Sequence, residues 1–108
     1  MDNNTILTTN SNAESCLIVL DNRFTSFETS ALRSKILEIL NSSIPLVHID
    51  ASNVSEIDLS GVNEIIHSNY ALSLVSKKMN LIYHKTSPLQ NWASITGFSR
   101  FISSTITI

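Results

Sequence analysis

Three short strand-like segments alternate with segments of helical period, and this alternation restricts the fold more than any other feature of the sequence. Cys16–Leu20 is a continuous apolar run of strand length flanked by polar residues, Leu46–Asp50 reads as a second buried strand, and Leu81-Ile82-Tyr83 makes a short third one. A continuous run like the first suits a strand central in a sheet or covered on both faces. Between the first two, residues 26–40 place Leu32, Ile36, Ile39 and Leu40 on one helical stripe, with Leu37 at its shoulder. Between the second and third, a long helix is expected from Ser60 or Gly61 to Lys78. Its broad face carries Val62, Ile65, Ile66, Asn69, Leu72, Ser73 and Met79. Strands and helices in alternation, joined by short connections, predict an α/β domain with a largely parallel sheet and right-handed crossovers.

Local signals place the ends of these elements. Thr25 or Ser26 can cap the first helix, with Glu28 near its positive end. Asn41-Ser42-Ser43 before Pro45 terminates it, because the residue preceding proline is driven out of helical angles. Lys77 and Lys78 would offset the negative end of the long helix. Ser87-Pro88 reads as a helix start, serine as cap and proline at the position where its missing N–H is not needed. Leu89, Trp92, Ala93 and Thr96 form that helix's inner stripe, and Gly97 its left-handed end. A β-like alternation carrying Ile102, Ile106 and Ile108 closes the chain. Residues 1–14 are mostly polar, Ile6, Leu7 and Ala13 being exceptions, with an edge strand expected near residues 5–9. At 108 residues the whole length, 1–108, is expected to be one domain.

Composition narrows the function. The net charge of -2 carries no electrostatic footprint of a nucleic-acid binder or a polybasic membrane anchor. No apolar run approaches the roughly 20 residues that span a bilayer, so no direct membrane insertion is expected. The start of the sequence lacks the pattern of a secretory signal, which points to the cytoplasm. The single cysteine, Cys16, allows no internal disulfide and sits in an apolar run as a small buried side chain. His48, His67 and His84 share no ligand spacing, so no metal site and no cofactor is expected. Two glycines cannot build a phosphate-binding loop, and no nucleophile elbow is present. A nucleotide hydrolase built on Asp58 and Ser60 would lack both a phosphate clamp and a metal cluster. Catalysis is therefore not the expected reading.

One locus rises above a background of 18 serines. Val54-Ser55-Glu56-Ile57-Asp58-Leu59-Ser60-Gly61-Val62 puts Asp-x-Ser-Gly at the join between a loop and the longest helix. Asp58 or Ser60 can accept hydrogen bonds from the free N–H groups there, and Gly61 lets neighbouring backbone come close. Ser60 is also suited to phosphorylation, since helix amides and the positive dipole end accommodate a phosphate. The two roles are compatible. Asp58 adds like charge nearby, and no Arg or Lys lies between Lys35 and Lys77 in the sequence to neutralise it.

The stretch from Leu46 to Val62 resembles the STAS domain of bacterial anti-sigma factor antagonists. Those domains carry a strand ending in Asp, a short connection, and Asp-Ser-Ser-Gly followed by an aliphatic residue. A second segment, Ser87-Pro88-Leu89-Gln90-Asn91-Trp92-Ala93-Ser94-Ile95-Thr96-Gly97-Phe98, is similar to the family's helix with Ser-Pro at its start and (Ser/Thr)-Gly at its end. With the element order, the resemblance extends over roughly residues 15–105. Two departures stand out: Leu59 occupies the first motif serine, and Asp21 or Asn22 the glycine usual after the second strand.

The resemblance implies a two-layer STAS-like fold, with a mixed, mostly parallel sheet and amphipathic helices. It implies a phosphorylation-switched regulator that binds an anti-sigma factor with serine-kinase activity while unphosphorylated. That kinase would inactivate it at Ser60, and a serine phosphatase would restore it. Docking is then expected over Asp58, Leu59, Ser60 and Gly61 together with Asp21, Asn22 and Phe24, the last only if exposed; a core place under the first helix is the weightier reading of Phe24. STAS domains also serve as subunits of lipid-transport ATPase complexes and as stressosome-type scaffold components, and these are the alternatives.

Overall fold

The computed structural model describes residues 7–108, so Thr5 and Ile6 of the expected edge strand lie outside the described residues. Along the chain run β1 (Leu7–Ser11), β2 (Cys16–Leu20), β3 (Arg23–Phe24), α1 (Thr29–Leu40), β4 (Leu46–Asp50) and β5 (Glu56–Ile57). Then come α2 (Leu59–Leu74), β6 (Lys78–His84), α3 (Pro88–Thr96), a 3-10 turn at Phe98–Arg100 and β7 (Ser103–Thr107). The main sheet has the order β1-β2-β4-β6-β7, antiparallel only between β1 and β2. The fold is α/β with a mostly parallel sheet and three helices, as the alternation predicts.

The strand order explains where the core lies. Each crossover from β2 to β4, β6 and β7 steps in the same direction across the sheet. Right-handed crossovers that all step one way leave their helices on one face. Burial follows that geometry: Cys16, Ile18, Leu20, Val47, Ile49, Met79, Leu81 and Tyr83 are buried, and the residues between them only half-buried. The apolar run of β2 is thus covered on one face only. Leu17 and Val19 point to the other, where His48 and Asp50 are their register partners. The first helix packs Leu32, Ile36 and Ile39 inward and leaves Leu37 exposed.

Several ends differ from the sequence reading. The long helix stops at Leu74, four residues short of Lys78, and its buried face holds Gly61, Val62, Glu64, Ile65, Ser68 and Leu72. Ser68 takes the inward place expected of Asn69, Ser73 is exposed, and Met79 belongs to β6. The cause is a C-terminal cap. The N–H of Lys77 donates to Leu72 O (2.9 Å) and that of Ser76 to Ser73 O (3.1 Å), with Ser76 in the left-handed region at φ 63°. Lys77 does not complement this helix's own end. Its ammonium donates to the carbonyls of Ser42 and Ile44 (2.7 and 2.6 Å), tying down the loop after α1. In α3, Ser87 caps the start, Pro88 is first and Gly97 is left-handed at φ 74°, as expected, but Thr96 is exposed.

The left-handed Ser76 costs conformational energy that glycine would not incur, of the order of 1 kcal/mol. Ser76→Gly is therefore expected to raise the midpoint of urea unfolding with an unchanged slope. A lower midpoint would show that the serine side chain stabilises this cap.

Candidate functional site

The site is built where two loops meet at the start of α2. β3 and β5 form a two-residue parallel pair, Arg23 beside Glu56 and Phe24 beside Ile57. The carbonyl of Asn22 extends it by accepting from the N–H groups of Ser55 (2.8 Å) and Glu56 (3.0 Å). The connection after β4, anchored in the core by Val54, is in this way laid against residues 21–24. Asp21 and Asn22 are exposed beside it. A shallow polar cleft there is lined by Asp21, Asn22, Arg23, Glu28 and Glu56.

Asp58 is the cap of α2. One carboxylate oxygen accepts from the Gly61 N–H (2.9 Å) and the other from the Ser26 N–H (3.2 Å). The same side chain that starts α2 therefore also ties down the turn that precedes α1. Of the two cap candidates read from the sequence, Asp58 performs the task, and Ser60 lies in the first helical turn, exposed. Leu59, at 55% exposure, presents apolar surface next to it.

Gly61 is fixed by close packing. A Cβ built on it would lie 2.2 Å from the Phe24 carbonyl oxygen and 2.9 Å from Ile57 Cγ1. The backbone of β3 therefore passes directly over the first turn of α2, and no larger residue fits without moving it. This contact also decides the place of Phe24. It is buried at 1% exposure, beneath the loop, and its side chain is not available to a partner.

Phe27 occupies the exposed position instead. At 82% exposure it stands at the turn held by Asp58, with the Arg23 guanidinium 5.9 Å from its ring centre. Arg23 is held by Glu28 through two hydrogen bonds, Nε at 3.1 Å and Nη2 at 2.9 Å. Glu28 also accepts from the N–H and the hydroxyl of Thr25, both at 2.8 Å. Glu28 thus makes one half of a capping box, its carboxylate accepting from the Thr25 N–H, while its own N–H donates to the Thr25 carbonyl (2.8 Å) in a turn ahead of the regular helix, which starts at Thr29. Burial alone would push the Glu28 carboxyl up, but the hydrogen bonds from Thr25 and Arg23 outweigh it and hold it below the ordinary carboxylate range.

Sequence reading missed Phe27, Arg23 and a second ion pair. Nothing in the pattern separates an exposed aromatic in a pre-helical turn from one in a core. The second pair joins the helices: Arg33 of α1 donates from Nη2 to Glu64 of α2 at 2.7 Å and from Nε at 3.3 Å. Arg33 thus reaches α2 from a distant part of the sequence. Among the described residues, no cluster of three or more His, Cys, Asp or Glu is arranged to hold a metal ion, and no helix is long and apolar enough to cross a membrane.

No protein-family model matches this chain, and no curated protein matches it in sequence. Solved structures do match in fold. The anti-sigma factor antagonist SpoIIAA in its unphosphorylated form superposes with a TM-score of 0.73 at 17% identity, over 92% of this chain and 86% of that one. The Bacillus cell fate determinant SpoIIAA in the phosphorylated form gives 0.72 at 17% identity, over 92% and 90%. The fold is that of the SpoIIAA antagonist, as the STAS resemblance implies.

Gly61→Ala sets a methyl group against backbone, and overpacking of this kind costs about 1–3 kcal/mol or more. A thermal unfolding midpoint lowered by several degrees is the expected result. An unchanged midpoint would mean that β3 is free to move away from α2.

Proposed function

We propose that this protein is an anti-sigma factor antagonist working in the cytoplasm as a phosphorylation switch, with Ser60 as its phosphoacceptor. It binds an anti-sigma factor of serine-kinase activity while unphosphorylated, is inactivated by that kinase, and is restored by a serine phosphatase. The observation that carries this reading is the division of labour at the start of α2. Asp58 caps the helix, so the Ser60 hydroxyl is left exposed and uncommitted to the cap. The fold likeness to an antagonist known in unphosphorylated and phosphorylated forms supports the same reading.

The docking face comprises Ser60 with Leu59 and the exposed loop at Asp21 and Asn22; Gly61, buried beneath the Phe24 carbonyl, serves it by letting β3 close on α2. Phe27 takes the anchoring part expected of Phe24, since large exposed aromatic side chains often carry interface energy. Asp58 acts within the protein: its two oxygens are occupied by Gly61 and Ser26, so its part in docking is to hold the face in shape.

A phosphate on Ser60 adds about -1.5 to -2 charges at neutral pH. In a close interface that charge must be paired or desolvated, and a loss of about 2–4 kcal/mol weakens binding roughly 30- to 1,000-fold. Incubated with its kinase and ATP, the protein is expected to gain one phosphate, located on Ser60 by mass spectrometry. Ser60→Asp is expected to bind the kinase more weakly than wild type, and Ser60→Ala to bind it and resist inactivation. Both should fold, because Asp58 and not Ser60 caps the helix. Phosphate on another serine, or equal affinity of wild type and Ser60→Asp, would overturn the switch and favour a STAS subunit of a lipid-transport complex.

A further inference from the structure

The Arg33–Glu64 pair joins α1 to α2 one helical turn after the proposed phosphoacceptor. Ser60 and Glu64 are four residues apart on α2, so they are separated by only about 40° around the helix and one turn along it. Glu64 is buried and Arg33 comes to it from α1, leaving the arginine side chain 60% exposed. The two helices run side by side in the same sense. Ser26 meets Asp58 at their starts, and Arg33 meets Glu64 further along both. The guanidinium therefore sits on the flank of α2 that Ser60 shares, at the end of a long side chain with solvent on its open side.

Resting on the reading of Ser60 as phosphoacceptor, we infer that Arg33 is the residue that receives the phosphate within the same molecule. In the unmodified protein its fork is engaged by the Glu64 carboxylate, Nη2 at 2.7 Å and Nε at 3.3 Å. A phosphoserine at position 60 brings a doubly charged acceptor within one helical turn of that fork. Guanidinium has donors to spare for both groups, and phosphate is the stronger acceptor. The phosphate then draws Arg33 toward the start of α2 and links α1 to the docking face. Arg23 is less suited to the part, because Glu28 holds it and its guanidinium lies over Phe27. Of the other charged or titratable groups on β5, α1, α2 and the turns before them, Asp58, Glu28 and Glu56 are acidic, Lys35 pairs with Glu38 on α1 (3.2 Å), and His67 is seven residues beyond Ser60 on α2, which leaves Arg33 as the cation for this flank among the described residues.

The test uses the full-length protein with phosphoserine installed at position 60 during synthesis, so no kinase is required. The phosphorus resonance is titrated with pH, and the Arg33 Nε–H resonance is followed. In the Arg33→Gln protein the phosphate is expected to titrate at a higher pH than in wild type, by a few tenths to about one unit, as expected for one exposed cation–anion contact. In wild type, phosphorylation is expected to shift the Arg33 Nε–H resonance and slow its exchange with water. Because Arg33→Gln leaves Glu64 buried without its partner, the Arg33→Gln/Glu64→Gln protein provides a second comparison in which Glu64 carries no charge. The same phosphate titration in all three proteins, with an unmoved Arg33 resonance, would overturn the inference. Failure of the kinase to modify Ser60 would overturn only the switch, because the phosphate in this experiment is placed by synthesis.

Discussion

Everything at the functional end of the domain depends on how closely the backbone at Phe24 approaches the first turn of α2. A carbonyl oxygen stands where the Cβ of any other residue at position 61 would have to go. That contact seats β3 on the helix, buries the Phe24 ring and lines up β3 with β5. Asp58 completes the knot from the other side, with one oxygen on α2 and one on the turn before α1. The exposed residues around it, Ser60, Leu59, Phe27 and Asn22, belong to three different chain segments but stand on one rigid base. A partner docking on this surface would order few residues, which is the usual route by which preorganisation improves affinity.

The sheet separates stability from function. Because its crossovers all step one way, the helices cover one face and leave the other to half-buried residues of mixed character. The core is therefore a single layer between helices and sheet, and the candidate site is at the edge of that layer, where α2 begins. Ser60 stands exposed at that edge, and the buried Val62 and Ile65 that follow it on α2 belong to the core.

Much of this was legible in the sequence, because strand runs and helical stripes are local patterns. The α/β alternation, the Ser87-Pro88 start and Gly97 end of α3, and the close approach at Gly61 all rest on a few adjacent residues with one strong physical preference. What escaped depends on partners far along the chain. The end of α2 was misplaced because a serine, not glycine, takes the left-handed cap at position 76. Lys77 was assigned to the end of its own helix, whereas it serves the carbonyls of Ser42 and Ile44. Phe24 and Phe27 are three residues apart in an irregular turn, where no periodicity says which one faces inward. Arg33 and Glu64 are 31 positions apart, and only helix packing brings them together.

The central claim is that partners dock on the face around Ser60 and not on the uncovered sheet face. Hydrogen exchange of the unphosphorylated protein, alone and with its kinase partner, tests this directly. The expected result is added protection of the amides in residues 22–28 and 58–64, with the strands unchanged. Protection confined to β1, β2 and β4, with residues 58–64 exchanging as in the free protein, would contradict it.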